Sequence, residues 1–275
     1  MTDIPSTGPI AFIGGGNMAR SLIAGLVREG VPANTIHVAE PVDALRERLA
    51  TDFGVRVHAT AAEAAEGSDT WLLAVKPQVM AEACLPLATL VPIASPLVVS
   101  IAAGIGSARL RQWLGPDAAI VRAMPNTPAL LGAGITGLYA GADVSGLRRA
   151  LAERLLASAG PTVWIDDEGL MDAVTAVSGS GPAYVFLLAE AMAAAAREQG
   201  LPAQTAAALV TQTLLGAARM LAESGEAPAE LRRRVTSPNG TTQAAIESFQ
   251  ADGFEAAVSR AIAAATRRGR ELSGD

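Results

Sequence analysis

The pattern that most limits what this chain can fold into lies near its start. The apolar run Ile10-Ala-Phe-Ile13 is followed at once by Gly14-Gly15-Gly16-Asn17-Met18-Ala19, with the spacing Gly-x-Gly-x-x-Ala. The first glycine makes a tight turn, the second lets backbone approach a pyrophosphate, and the small third residue lets helix pack on strand. That spacing alone is a weak signal. Here it ends a β-type run and opens an amphipathic stretch (Met18, Leu22, Leu26), the strand–turn–helix context that marks a dinucleotide site.

The following residues repeat the strand–helix alternation. Strands are expected at Ile36–Glu40, 55–57, Thr70–Val75, Leu97–Ile101, 119–124 and Thr162–Ile165, with helices between most of them, including Asp43–Phe53 and Val144–Ala159. Such alternation predicts an α/β, doubly wound (Rossmann-type) parallel sheet whose ligands bind at the carboxyl ends of the strands. One crevice should therefore be lined by residues 14–19, by Ala74, Val75, Lys76 and Pro77, by Ala102, Ala103 and Gly104, and by 125–127 with Asn126. Glu40 ends the second strand, 24 residues beyond Gly16 (40 − 16). An acidic side chain there accepts from a ribose 2′-hydroxyl and favours NAD; the competing reading is a solvated strand-end glutamate. The 2′ group, and so NADPH or NADH, stays open. Lys76 is the sole lysine of the chain, against 20 arginines, and sits at a strand's carboxyl end. It is either a solvated loop residue or a compact cation for the cofactor's ribose or phosphate. His37 and His58 read as structural or surface residues.

From Asp166 onward the periodicity is helical throughout, so the expected domains are 1–164, dinucleotide-binding, and 165–275, an all-α helical dimerisation and substrate domain. Ser178-Gly-Ser-Gly-Pro182 opens a long helix and reads as a cap or as a pocket wall near a ligand. Late in the chain, Val235-Thr-Ser-Pro-Asn-Gly-Thr-Thr242 is a tight turn feeding a helix, with Thr241 or Thr242 expected at the N-cap and Asn239-Gly240 taking positive φ. Unpaired N–H groups at a helix start suit a carboxylate. Arg232–Arg234 just before it, and Arg267, Arg268 and Arg270, read as solvated faces.

Composition narrows the class. Half of the 275 residues are hydrophobic and 17% are charged, enough for one large or two moderate domains. A net charge of −6 argues against nucleic acid and against an acidic membrane surface as partners. Cys84 is the only cysteine, which excludes an intrachain disulfide and reads as a small buried hydrophobe. No uninterrupted apolar run of about 18 residues stands out, and the first residues lack a signal-type pattern, so no membrane span and a cytoplasmic location are expected. Alanine-rich helices with few aromatics (4% of the chain) imply that partner surface comes from self-association. No metal site is expected.

Taken together, Phe12-Ile-Gly-Gly-Gly-Asn-Met-Ala19, Ala74-Val-Lys-Pro-Gln78, Val121-Arg-Ala-Met-Pro-Asn-Thr-Pro128, Ala176-Val-Ser-Gly-Ser-Gly-Pro-Ala-Tyr184, Gln212-Thr-Leu-Leu-Gly-Ala-Ala218 and Val235-Thr-Ser-Pro-Asn-Gly-Thr-Thr242 resemble the pyrroline-5-carboxylate reductase family over nearly the whole chain. Asn239 stands where the family usually has a glycine, and Glu40 where many relatives carry a neutral or basic residue. The resemblance implies reduction of 1-pyrroline-5-carboxylate to L-proline with NADPH or NADH. It also implies that backbone N–H groups around Asn239, Gly240 and Thr241, with Ser237, hold the substrate carboxylate. The catalytic hydroxyl would be that of Thr242, near the ring nitrogen. Family members form dimers or rings of dimers, and interlocking helical domains complete each active site.

The residues themselves agree with that chemistry. Reduction of a ketone needs a proton donor, usually His or Lys, and none of either occurs from Asp166 onward. A protonated imine is already electrophilic, and its nitrogen carries no negative charge after hydride arrives. Its site needs positioning and dryness more than a strong acid. The rivals are a reductase of another cyclic imine or keto acid, and a non-catalytic dinucleotide-binding dimer.

Overall fold

The computed structural model describes residues 8–273. Chain contacts divide it into two units. The first runs to Ser180 and takes back the residues from Ala265 on; the second is Gly181–Ala264.

Among its described residues the first unit holds eight strands: β1 (Ile10–Ile13), β2 (Ile36–Ala39), β3 (Arg56–His58), β4 (Thr70–Leu73), β5 (Leu97–Ser100), β6 (Ala119–Met124), β7 (Thr136–Ala140) and β8 (Thr162–Trp164). They form one sheet in the order β3-β2-β1-β4-β5-β6-β7-β8. The order reverses between β1 and β4, and that reversal opens the crevice of a doubly wound sheet at the carboxyl ends. All pairs are parallel except β6 with β7. The exception has a local cause. Residues 125–135 between these strands hold only one short 3-10 helix (Thr127–Leu131), and a parallel return needs a longer crossover.

The helices of this unit are α1 (Asn17–Arg28), α2 (Asp43–Phe53), α3 (Ala61–Ala65), α4 (Met80–Cys84), α5 (Val91–Ala94), α6 (Ser107–Leu114), α7 (Gly146–Ala157) and α8 (Met171–Val174). Side chains alternate along each strand and so feed two cores. Phe12, Val38, Leu72 and Val99 meet Leu22, Leu26, Leu155 and Leu156 on one face. Ile13, Trp71, Leu73 and Val98 meet Met80, Cys84, Leu87 and Leu110 on the other. Buried on both faces, these strands read as continuous apolar runs. Burial pushes the Cys84 thiol up to about 12, as befits an inert core residue.

The second unit is helical: α9 (Gly181–Glu198), α10 (Ala203–Glu223), α11 (Pro228–Arg234), α12 (Thr241–Ala251) and the start of α13 (Phe254–Ser273). α9 and α10 pack against each other across a turn in which Gly200 takes φ +91° and Pro202 caps the next helix. Only Ala206, Val210 and Leu231 are buried among its described residues, while Phe186, Leu187, Leu209, Leu215 and Phe249 are at least half exposed. An apolar surface of that extent is an interaction surface. By length and composition α10 would also suffice to cross a bilayer.

The expected division after residue 164 falls earlier than the contact boundary at Ser180. Helical periodicity does begin there, but polar contacts bind the next segment to the sheet. Glu168 accepts from the N–H and the hydroxyl of Ser107, both at 2.6 Å, and from Arg122 of β6 at 2.9 Å.

Candidate active site

The glycine turn lies at the carboxyl end of β1, where the strand order reverses. Gly14 adopts φ +107°, and a Cβ there would approach the Ala74 carbonyl oxygen to 2.8 Å, so only glycine fits. At Gly15 a Cβ would meet Leu49 of α2 at 2.5 Å. At Gly16 it would meet nothing within 4 Å; the backbone there faces open space. Gly16 is also the N-cap of α1 and no side chain caps that helix, so its first N–H groups point outward as an anion cradle. A pyrophosphate fits this arrangement. Ala19 is buried and gives the close helix–strand packing, and Met18 packs against the same core. Asn17 and Gly16 are exposed at the helix start.

A cleft of about 550 Å³ opens over this turn, lined by Gly14–Gly16, Glu40, Ala74, Val75 and Lys76. Ala59, Ala61, Val79, Ala83 and Pro86 make its apolar wall. Glu40 is 8% exposed; its Oε2 accepts from the Gly15 N–H at 3.2 Å and its Oε1 from the Val42 N–H at 3.1 Å. It is no free surface glutamate. Lys76 leads into the short turn Pro77–Val79 beyond β4.

A second cavity, about 500 Å³, lies beyond the ends of β4 and β5. Pro77, Ala103 and Gly104 form one wall, Asp172, Thr175 and Ser180 another, and Arg268 and Leu272 of α13 the third. Gly104, at φ +73°, lets the backbone of Leu272 pack close. Gly269 allows the same against Asp172, whose Oδ1 a Cβ would approach to 2.9 Å. Thr175–Gly179 forms one π-helical turn, a form frequent at functional sites. Gly179 in that turn abuts the Met124 methyl, which a Cβ would approach to 2.6 Å and push aside.

Asn126 does not line either cavity. Its Nδ2 donates to the Ser178 carbonyl at 3.1 Å, and its Oδ1 accepts from the Ile135 N–H at 3.0 Å. Both ends of the amide brace neighbouring loops. Ala102 is buried. His37 and His58 stack with ring centroids 5.1 Å apart and Nδ1 to Nε2 at 3.1 Å, across the β2–β3 pair.

In the second unit, the turn before α12 differs in detail from expectation. Asn239 takes the left-handed conformation at φ +57°, while Gly240 is extended at φ −88°. The N-cap is Gly240, so Thr241 and Thr242 occupy the first helical positions. Ser237 O accepts from Gly240 N–H at 3.0 Å, closing the turn, and Gln243 Oε1 accepts from Asn239 N–H at 2.8 Å. A capping threonine would accept one of the first amides; a glycine cap leaves them to an incoming anion. Arg233 and Arg234 of α11 pair locally with Glu230 and Glu226.

Comparison with known proteins agrees with this geometry. A family model described as pyrroline-5-carboxylate reductase dimerisation matches residues 168–272, and one described as NADP oxidoreductase, coenzyme F420-dependent, matches residues 9–104. The pyrroline-5-carboxylate reductase of Pseudomonas aeruginosa is 54% identical, over 98% of both chains. The chain belongs to the pyrroline-5-carboxylate reductase family. The solved structure of the Coxiella burnetii member superposes with a TM-score of 0.94 at 39% identity, over 98% of this chain and 99% of that one. The Plasmodium falciparum enzyme, solved with NADP bound, matches with a TM-score of 0.84 at 26% identity, over 96% and 97%.

For a reductase of this family, three features were not visible in the sequence. The Glu168–Arg122–Ser107 cluster lies beside the loop after β5. Burial works to raise the Glu168 pKa, but the Ser107 hydroxyl and N–H and the Arg122 guanidinium outweigh it and lower it. α13 returns to wall the second cavity. Gln243 ties the turn. None has a motif, since each depends on a partner far along the chain or on one side-chain rotamer.

Proposed function

We propose that this chain reduces 1-pyrroline-5-carboxylate to L-proline, with NADH or NADPH as the electron source. The observation that carries the reading is the turn at Ser237–Thr242. It offers uncapped helix amides and two hydroxyls, in a half of the chain that holds no histidine or lysine. Uncapped amides suit a carboxylate, and the lack of a strong acid suits an imine rather than a ketone.

The reduced nicotinamide, when bound, supplies a hydride to the imine carbon, and a proton completes the amine. Gly14, Gly15, Gly16 and the start of α1 hold the pyrophosphate. Ala74–Pro77, Ala103 and Gly104 flank the nicotinamide half, with Asn126 keeping the loop after β6 in place. Backbone N–H groups of Thr241 and Thr242, with Ser237 beside them, hold the substrate carboxylate. Asn239 and Gly240 shape the turn that presents them. The Thr242 hydroxyl lies by the ring nitrogen and serves as its hydrogen-bond partner. Domain 1–164 takes the cofactor and domain 165–275 takes the substrate. The enzyme works in the cytoplasm as a dimer, or a ring of dimers, and binds neither nucleic acid nor membrane; the apolar face of α10 is spent on self-association.

The test is the initial rate of NADH and of NADPH oxidation with 1-pyrroline-5-carboxylate, alongside ring-size and keto-acid analogues. Turnover on the five-membered imine acid well above the analogues supports the reading. Faster turnover of another imine or a keto acid would replace the substrate, and cofactor binding with no turnover on any of them would end it.

A further inference from the structure

We infer that Glu40 makes this enzyme prefer NADH over NADPH. The inference rests on the reductase reading only for the class of cofactor. Glu40 ends β2, is 8% exposed, and lines the cleft over the glycine turn. Its place is fixed twice, through the N–H of Gly15 and the N–H of Val42. Arg46 holds the Glu40 carbonyl at 2.6 Å, so the backbone beneath the carboxylate is fixed as well. Each carboxylate oxygen accepts one of these N–H groups and keeps a second lone pair. A ribose 2′-hydroxyl, a donor, completes that set. A 2′-phosphate, which carries only acceptors and negative charge, does not.

The surroundings supply little unengaged positive charge to offset the phosphate. Among the residues lining the cleft, Lys76 is the only cation, against the two carboxylates Glu40 and Glu82. Lys76 follows β4, and β1 separates β4 from β2, so the lysine stands on the far side of the glycine turn from Glu40. The arginines near the carboxyl end of β2 are already engaged: Arg46 with Asp43, and Arg20 with Asp52. Like charges at a buried carboxylate repel strongly, since little water screens them. Glu40 is at once the brace of the glycine turn and the gate against the 2′-phosphate.

The test is a titration of the purified enzyme with NADH and with NADPH, following nicotinamide fluorescence with no imine present. NADH should bind at least about tenfold more tightly. Glu40→Gln keeps one carbonyl acceptor for the Gly15 N–H and removes the charge. It should shrink the NADH-to-NADPH affinity ratio severalfold, mainly by tightening NADPH. A purely bracing glutamate would instead weaken both cofactors alike, and that result overturns the inference. Should the variant fail to fold, ADP-ribose and its 2′-phosphate compared as competitors on the wild-type enzyme decide the matter, with the unphosphorylated form expected to compete at least tenfold better. Equal or tighter binding of NADPH by the wild type sinks the preference and leaves the reductase standing. Binding of neither cofactor sinks the reductase reading, and this inference with it.

Discussion

The Asn239 backbone N–H donates to the Gln243 side-chain Oε1 at 2.8 Å, so the left-handed residue of the turn is tied to the first turn of α12. Gln243 Nε2 in turn donates to Glu247 at 2.7 Å, which fixes the amide's orientation. The turn is thereby held in shape by a residue that would touch no substrate. Gln243→Leu removes the acceptor, a neutral hydrogen bond contributing about 0.5–1.5 kcal/mol. The expected outcome is a severalfold higher KM for 1-pyrroline-5-carboxylate with an unchanged Kd for NADH. An unaltered KM would show that the turn holds its shape without the glutamine.

Thr242 occupies the second position of α12 and is half-buried. Thr242→Ala should lower kcat by roughly 10- to 100-fold, the lower range for a positioned proton-transfer group, because a hydroxyl is a weak acid. Cofactor affinity, read by fluorescence titration, should not move. Wild-type turnover in the variant would remove the hydroxyl from the mechanism.

Gly25 lies on the buried face of α1, where an added Cβ would press into the carbonyl oxygen of Ser158 at the end of α7. The same oxygen accepts from Arg28 at 3.1 Å and cannot turn away freely. Gly25→Ala should therefore destabilise the sheet unit by about 1–3 kcal/mol despite alanine's higher helix propensity, lowering Tm by about 2–10 °C. A melting curve identical to wild type would show that α1 and α7 separate at no cost.

The His37 pKa is lowered from its ordinary 6.5, first by burial, then by His58 and Arg56. The stacked His58 ring and the Arg56 guanidinium face it from β3, and neither favours a second positive charge. The unfolded chain takes up a proton near pH 6.5 that the folded chain takes up only at lower pH. Stability should therefore decline as pH falls from 6.5 through the lowered folded value. Urea unfolding between pH 7.5 and 5 should show this slope, and His37→Asn should flatten it. A variant with the wild-type slope would assign the pH dependence to other groups.

Much of this architecture was legible in the residues themselves. Strands at Ile10–Ile13 and 119–124, and the helix at Asp43–Phe53, fall at their expected positions because apolar runs and helical periodicity are local signals. The glycine turn was readable for the same reason, since one conformation at Gly14 and open space at Gly16 are demanded by spacing alone. β7 was not read as a strand, and its antiparallel pairing with β6 follows from a connection too short to cross the sheet. At the late turn, Asn-Gly announced a left-handed residue without saying which of the two would take it.

The sequence by itself determined the two-part plan, the nucleotide crevice at the end of β1, and a helical half without a strong acid. Spacing and residue type suffice for these, because backbone sterics and side-chain period act within a few residues of one another. Only the tertiary structure decided that Asn126 braces loops, that Glu40 faces the cleft while holding Gly15, and that residues 165–180 stay with the sheet. Each of those outcomes depends on which donor meets which acceptor after the chain has closed. A polar side chain in a sequence lists what it is able to bond, and the fold alone brings one partner within 3 Å.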